Sequence, residues 1–105
     1  MTFQKVLQLD SLWSGEMISI VIHDKKVLII NIEGKIFAYE DKCVHKKFPL
    51  SRGKIVGNIL TCQAHGWQYN VCTGQGVNPA SVCLKAFEVQ IHNGDILIDI
   101  ERKNT

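Results

Sequence analysis

A chain of 105 residues, 46% hydrophobic and 21% charged, has the size and composition of one compact domain. A net charge of +2, with no long Lys/Arg run, argues against nucleic acid as a partner. The longest apolar run, Val27 to Ile30, is far short of a membrane span, and the N-terminus lacks the basic start and apolar core of a secretory signal. The expectation is a cytoplasmic protein with no membrane contact, a setting in which cysteines more often bind metal or pack as small hydrophobes than form disulfides.

The predicted elements are short strands and turns. Val6, Leu7 and Leu9 fall in an opening strand, and Asp10 to Trp13 reads as one helical turn that Gly15 ends. Trp13 is expected to pack at the base of the fold. Met17 to Ile22 and Val27 to Ile32 are β-branched runs joined by His23 to Lys26, and Glu33-Gly34 turns the chain into Lys35 to Tyr39. Near the C-terminus Phe87, Val89 and Ile91 alternate with polar residues. Asn93-Gly94 marks a tight hairpin, and Ile96, Ile98 and Ile100 return with the same period of two. No window carries helical periodicity. The fold class is all-β, an antiparallel sandwich or barrel-like domain over residues 1–105.

Residues 41–79 differ from the rest. They are rich in Gly, Cys and His, with brief strand-like pieces at Lys54 to Val56, Ile59 to Thr61 and Trp67 to Val71. This interval reads as a loop-dominated insertion on a rigid β base, where functional sites are often found. Within it stand Cys43-x-His45 and, after sixteen intervening residues, Cys62-x-x-His65. Residues i and i+2 of an extended chain point the same way, so Cys43 and His45 can converge on one centre. Cys62 and His65 can do so across a tight turn.

Three readings of these pairs compete. Unrelated core cysteines and surface histidines would not cluster in pairs at two places. A structural zinc site accepts two cysteines and two histidines but usually groups like ligands together. A Rieske-type [2Fe-2S] cluster has two cysteines on one iron and two histidines on the other. One thiolate and one imidazole on each of two loops is what that cluster needs, and this reading fits best.

The spacing C-x-H, sixteen residues, C-x-x-H resembles the Rieske signature. The F-x-K and L-D-S-L-W-S-G-E-M stretches near the N-terminus, H-G-W-Q-Y at His65 to Tyr69 and G-Q-G-V-N-P at Gly74 to Pro79 carry the likeness further. They resemble the Rieske ferredoxin component of bacterial multicomponent diiron monooxygenases that oxidise toluene, related aromatics or alkenes. The resemblance covers nearly the whole chain. It implies a Rieske fold: an antiparallel β-sandwich base with a small, loop-rich cluster-binding subdomain at about residues 41–79. It also implies one [2Fe-2S] cluster per chain, with Cys43 and Cys62 deep and His45 and His65 nearer solvent, and a covering loop that ends at Pro79. Such a protein carries single electrons from an NADH-dependent flavin/iron–sulfur reductase to a diiron hydroxylase and does no substrate chemistry itself. The rivals are the ferredoxin of a ring-hydroxylating dioxygenase and the small Rieske subunit of a nitrite reductase.

The remaining candidates have plainer expectations. Lys46 and Lys47 follow a ligand directly and read as a solvated loop or as a docking contact for an acidic partner. Trp67 can shield a cluster from water. Cys72 and Cys83 are expected as buried filler, and His23 and His92 as solvent-facing bystanders at turns.

Overall fold

Alternating β-branched residues build the larger of two sheets. The computed structural model describes residues 3–42, 49–63, 66–78 and 80–103. Six strands, β1 (Gln4–Gln8), β2 (Met17–Ile22), β3 (Lys25–Ile32), β4 (Lys35–Glu40), β9 (Ala86–His92) and β10 (Asp95–Lys103), pair antiparallel in the order β1-β10-β9-β4-β3-β2. Three of its hairpins turn on two residues, both at positive φ: His23-Asp24, Glu33-Gly34 and Asn93-Gly94. That is the turn whose twist matches right-handed strands. The connection at His23 is therefore tighter than the four residues expected, since Lys25 already pairs with Ile22.

Why β3 reads as an unbroken apolar run is clear from its two faces. Val27, Leu28, Ile29 and Ile30 are all 0% exposed. Val27 and Ile29 point to one side, where they meet Ile22, Ala38, Phe87, Ile96 and Ile98. Partly buried residues of β1 and β2 join that cluster, so the large sheet curls around its own inner face. Leu28 and Ile30 point to the other side. A strand covered on both faces loses the period-two signal. Each of these four side chains contributes about 1.5–3 kcal/mol by leaving water.

Four three-residue strands cover the outer face. They are β5 (Lys54–Val56), β6 (Ile59–Thr61), β7 (Gln68–Asn70) and β8 (Gly76–Asn78), antiparallel in chain order. Leu60 and Tyr69, opposite one another on β6 and β7, pack with Leu28, Ile30, Tyr39, Leu50 and Val71. The interval expected to be loop-dominated thus contains a sheet, one strand of which, β8, went unread.

Trp13 is not at the base of the fold. It is 72% exposed while its neighbour Leu12 is 4% exposed. Leu12 takes the inward position, and the Trp13 indole N–H donates to the Asp10 carbonyl at 3.2 Å. Buried Asn31 ties this turn to the end of β3, donating from Nδ2 to the Leu12 carbonyl at 2.8 Å.

Tyr39 locks the two sheets together. Its ring is 3% exposed, and its hydroxyl donates to the Val71 carbonyl in the turn after β7. Burial, with a smaller contribution from neighbouring Cys72, pushes its pKa from 10.0 up to about 12. The folded state favours the neutral phenol, so this stabilisation is complete below about pH 10 and is lost as pH rises towards 12. Tyr39→Phe leaves the Val71 carbonyl without this donor, at an expected cost of about 1–3 kcal/mol. In thermal melts between neutral pH and 12, the gap between wild type and Tyr39→Phe should narrow above pH 10; a constant gap would contradict this role.

Candidate metal centre

Cys62, the cysteine of the second Cys-His pair, sits where β6 ends. The Cys62 N–H donates to the Trp67 carbonyl at 2.7 Å, extending the β6–β7 ladder by one step. The Gly66 N–H donates back to the Cys62 carbonyl at 3.0 Å, and Gly66 takes φ +72, which closes the hairpin tip. Cys62 is 1% exposed and packs in the inter-sheet core with Leu50, Leu60 and Tyr69. Trp67 is half-buried against the same core.

The first pair hangs on a segment whose two ends are described. β4 ends at Glu40 and buried Asp41 follows; the chain is described again from Pro49 and the short 3-10 turn Leu50–Arg52. Asp41 Oδ1 accepts the Ser51 N–H at 2.9 Å, and Oδ2 accepts the Ser51 hydroxyl at 2.9 Å. The base of the segment is therefore clasped. Its returning limb then presses against the second hairpin: a Cβ on Gly53 would stand 2.3 Å from the Thr61 carbonyl oxygen, one residue before Cys62. Gly53 has φ −78, an ordinary value, so glycine serves close approach here. That contact sets the returning limb of the segment that bears Cys43 and His45 beside the hairpin that bears Cys62.

Of the predicted site residues, Cys62 and Trp67 are described. Cys43, His45, Lys46, Lys47, His65 and Pro79 lie outside the described residues. Among the described residues no three His, Cys, Asp or Glu side chains converge as a metal site. Cys72 is half-buried, and its N–H donates to Asn70 Oδ1 at 2.9 Å. Cys83 is exposed, not buried filler, because Leu84 takes the inward position beside it. His23 and His92 are exposed as expected, the former 2.6 Å from the Gln4 amide across the β1 and β2 edges. Asp41, Ser51 and Gly53 were missed, and none has a local signature: an acid or a serine beside a turn ordinarily reads as solvated.

The local chemistry fits an iron–sulfur cluster. Cys62 combines a soft sulfur donor with burial, and binding an electropositive iron is the circumstance that favours a thiolate there. A groove of about 500 Å³ opens beside it, lined by Arg52, Lys54, Thr61, Gln63 and Gly66. No helix among the described residues is long and apolar enough to cross a membrane.

Comparison with known proteins agrees. The Rieske [2Fe-2S] domain family matches residues 2–88. The ferredoxin component of the alkene monooxygenase system of Xanthobacter autotrophicus is 39% identical over 97 residues, covering 91% of this chain and 80% of that protein. A biphenyl dioxygenase ferredoxin subunit from a Pseudomonas species is 33% identical over 105 residues, covering 97% and 95%. Among solved structures, a chain from the complex of reduced oxygenase and oxidised ferredoxin in carbazole 1,9a-dioxygenase superposes with a TM-score of 0.88 at 27% identity, covering 98% and 96%. With the two-sheet fold, the buried Cys62 and the paired Cys-His spacing, these matches establish that the chain belongs to the Rieske [2Fe-2S] domain family and carries a [2Fe-2S] cluster.

Proposed function

We propose that Cys43, His45, Cys62 and His65 hold the cluster and that residues 41–79 form its binding subdomain. The protein is an electron-carrying ferredoxin component of an oxygenase system, without substrate chemistry of its own. Its donor is an NADH-dependent flavin/iron–sulfur reductase, and its acceptor is a diiron monooxygenase hydroxylase acting on alkenes or toluene-like aromatics, in the cytoplasm. The observation that carries the choice of acceptor is the 39% identity to an alkene monooxygenase ferredoxin. The 33% identity to a biphenyl dioxygenase ferredoxin, over the full length of the match, favours a ring-hydroxylating dioxygenase as the second reading.

The cluster, when bound, supplies a site that takes up and gives back one electron. The chain's own residues determine how well that site is held and reached. Cys62 offers its sulfur from the apolar inter-sheet core, where water is excluded. Trp67 covers part of the same core from the hairpin tip. Exposed Arg52 and Lys54 line the groove beside Cys62, a basic rim suited to an acidic partner face, and Lys46 and Lys47 directly follow a proposed ligand in the sequence.

Reconstitution tests the reading. Reductase and this protein are combined with either an alkene/toluene monooxygenase hydroxylase or a ring-hydroxylating dioxygenase, and NADH-driven product is measured. Monooxygenase product should form at least about tenfold faster than dioxygenase product, a gap of about 1.4 kcal/mol in activation free energy. The opposite ranking would install the dioxygenase reading, and no product with either would overturn both. Glu at Lys46 and Lys47 should slow the favoured reaction at low salt only; an unchanged rate would remove these lysines from the docking face.

A further inference from the structure

Asp41 is 3% exposed, and three donors converge on its carboxylate. Oδ2 accepts the Ser19 hydroxyl of β2 at 2.6 Å and the Ser51 hydroxyl at 2.9 Å, while Oδ1 accepts the Ser51 N–H at 2.9 Å. Its own N–H donates to the Lys26 carbonyl at the start of β3, at 2.9 Å. One side chain thus gathers β2, the end of β4 and the 3-10 turn after the first ligand loop.

That arrangement exceeds what a strand end needs. The backbone bond to Lys26 already finishes the β3–β4 ladder. The carboxylate acts elsewhere: it joins position 41 to position 51, spanning the segment that bears Cys43 and His45. Hydrogen bonds to a charged acceptor are about twice as strong as neutral ones. Two of them bind the same residue, Ser51, through backbone and side chain, and so fix its orientation as well as its distance. Leu50, next to Ser51, is 0% exposed in the inter-sheet core, which anchors the clasp from the far side.

We propose that Asp41 is a positioning residue for the first ligand loop: by clasping Ser51 it closes the base of that loop, and by binding Ser19 it fixes the base to the large sheet. This rests on the assignment of Cys43 and His45 as ligands. A carboxylate only accepts, whereas an amide brings two protons to a place where hydroxyls already donate. Asp41→Asn keeps the volume but forces at least one serine to turn, so the clasp loosens without a cavity.

The test uses the full-length holoprotein and three variants: Asp41→Asn, Ser51→Ala and, as a control, Asn31→Ala. Asn31 is likewise buried and doubly bonded, to the Leu12 carbonyl and the Gly34 N–H, but lies at the other end of β3, about 17 Å from Lys26 at strand rise. Cluster release into an iron chelator is followed by visible absorbance, beside reduction potential and Tm. Asp41→Asn should release its cluster about tenfold faster, the low end of the loss seen when groups behind metal ligands are removed, and should shift the potential. Ser51→Ala should move both readouts the same way by less, and it decides the matter if Asp41→Asn does not accumulate. Asn31→Ala should lower Tm with wild-type release and potential. The proposal is overturned if the Asp41 and Ser51 variants match wild type in release and potential, or if Asn31→Ala accelerates release as much. Histidine-to-cluster coupling in the wild type tests the ligand assignment separately, so a normal wild-type signal with a silent Asp41→Asn defeats the clasp alone.

Discussion

Cys62→Ser is expected to yield a chain that no longer holds its cluster and lacks the visible absorption of the wild type. Serine preserves the shape of the side chain, so the inter-sheet core around Leu50, Leu60 and Tyr69 should still assemble. It removes the soft sulfur donor at the one proposed ligand position described as 1% exposed. A hydroxyl is a poor iron ligand at neutral pH, and in that core it must also find a hydrogen-bond partner. Because binding free energy at a site absent from the unfolded chain counts towards folding, the loss should lower Tm as well. Cys72→Ser and Cys83→Ser supply the contrast: half-buried and exposed respectively, they should leave absorption and cluster content at wild-type values. Retention of normal absorption by Cys62→Ser, or its loss in either of the others, would show that the ligands are misassigned.

Gly53→Ala should be the most damaging substitution that touches no ligand. The new methyl would lie 2.3 Å from the Thr61 carbonyl oxygen and 3.1 Å from that of Leu50. Both obstacles are backbone, so neither can swing aside as a side-chain tip would. Relief requires the returning limb of the first proposed ligand loop to move off the second hairpin. Forcing volume into a packed contact costs about 1–3 kcal/mol, and at the upper end this lowers Tm by roughly 12–20 °C for a domain of this size. Gly34→Ala is the informative partner. It meets nothing within 4 Å but carries φ +89, so it pays backbone strain alone, about 1–2 kcal/mol. Both variants should lose stability, yet only Gly53→Ala should also release its cluster faster in the chelator assay. Equal cluster retention in the two would mean that the Gly53–Thr61 contact does not set the spacing of the proposed ligand loops.

Much of the fold was legible because local rules and tertiary structure agree. Asn93-Gly94 between two alternating runs could only be a hairpin, and the structure pairs Ile96 with Ile91 and Ile98 with Val89 as that pattern requires. The small sheet was half legible. Ile59 to Thr61 carries strand-forming residues, whereas β8 is Gly-Val-Asn, with no alternation to read; its pairing with β7 comes from tertiary contact. Errors at Trp13 and Cys83 share one cause. In each case an adjacent leucine, Leu12 or Leu84, occupies the inward position, and neighbouring residues on an extended chain face opposite ways. Hydrophobicity alone could not choose between them.

Within the candidate site, the proposed ligands stand out in the sequence because Cys-x-His and Cys-x-x-His are local spacings. The supports were not. Asp41 reaches Ser51 across ten residues and Ser19 across 22. Gly53 earns its glycine from a strand eight positions away. Such partners become visible only when distant segments are brought together, and they belong to the link between packing and function.

The most direct measurement is electron–nuclear double resonance on the reduced wild-type protein, prepared with ¹⁵N-labelled histidine. Two inequivalent or equivalent strongly coupled histidine nitrogens at the cluster are the expected result, given by His45 and His65. A paramagnetic iron–sulfur signal with no labelled nitrogen coupled to it would contradict the mixed thiolate and imidazole ligation on which the account stands.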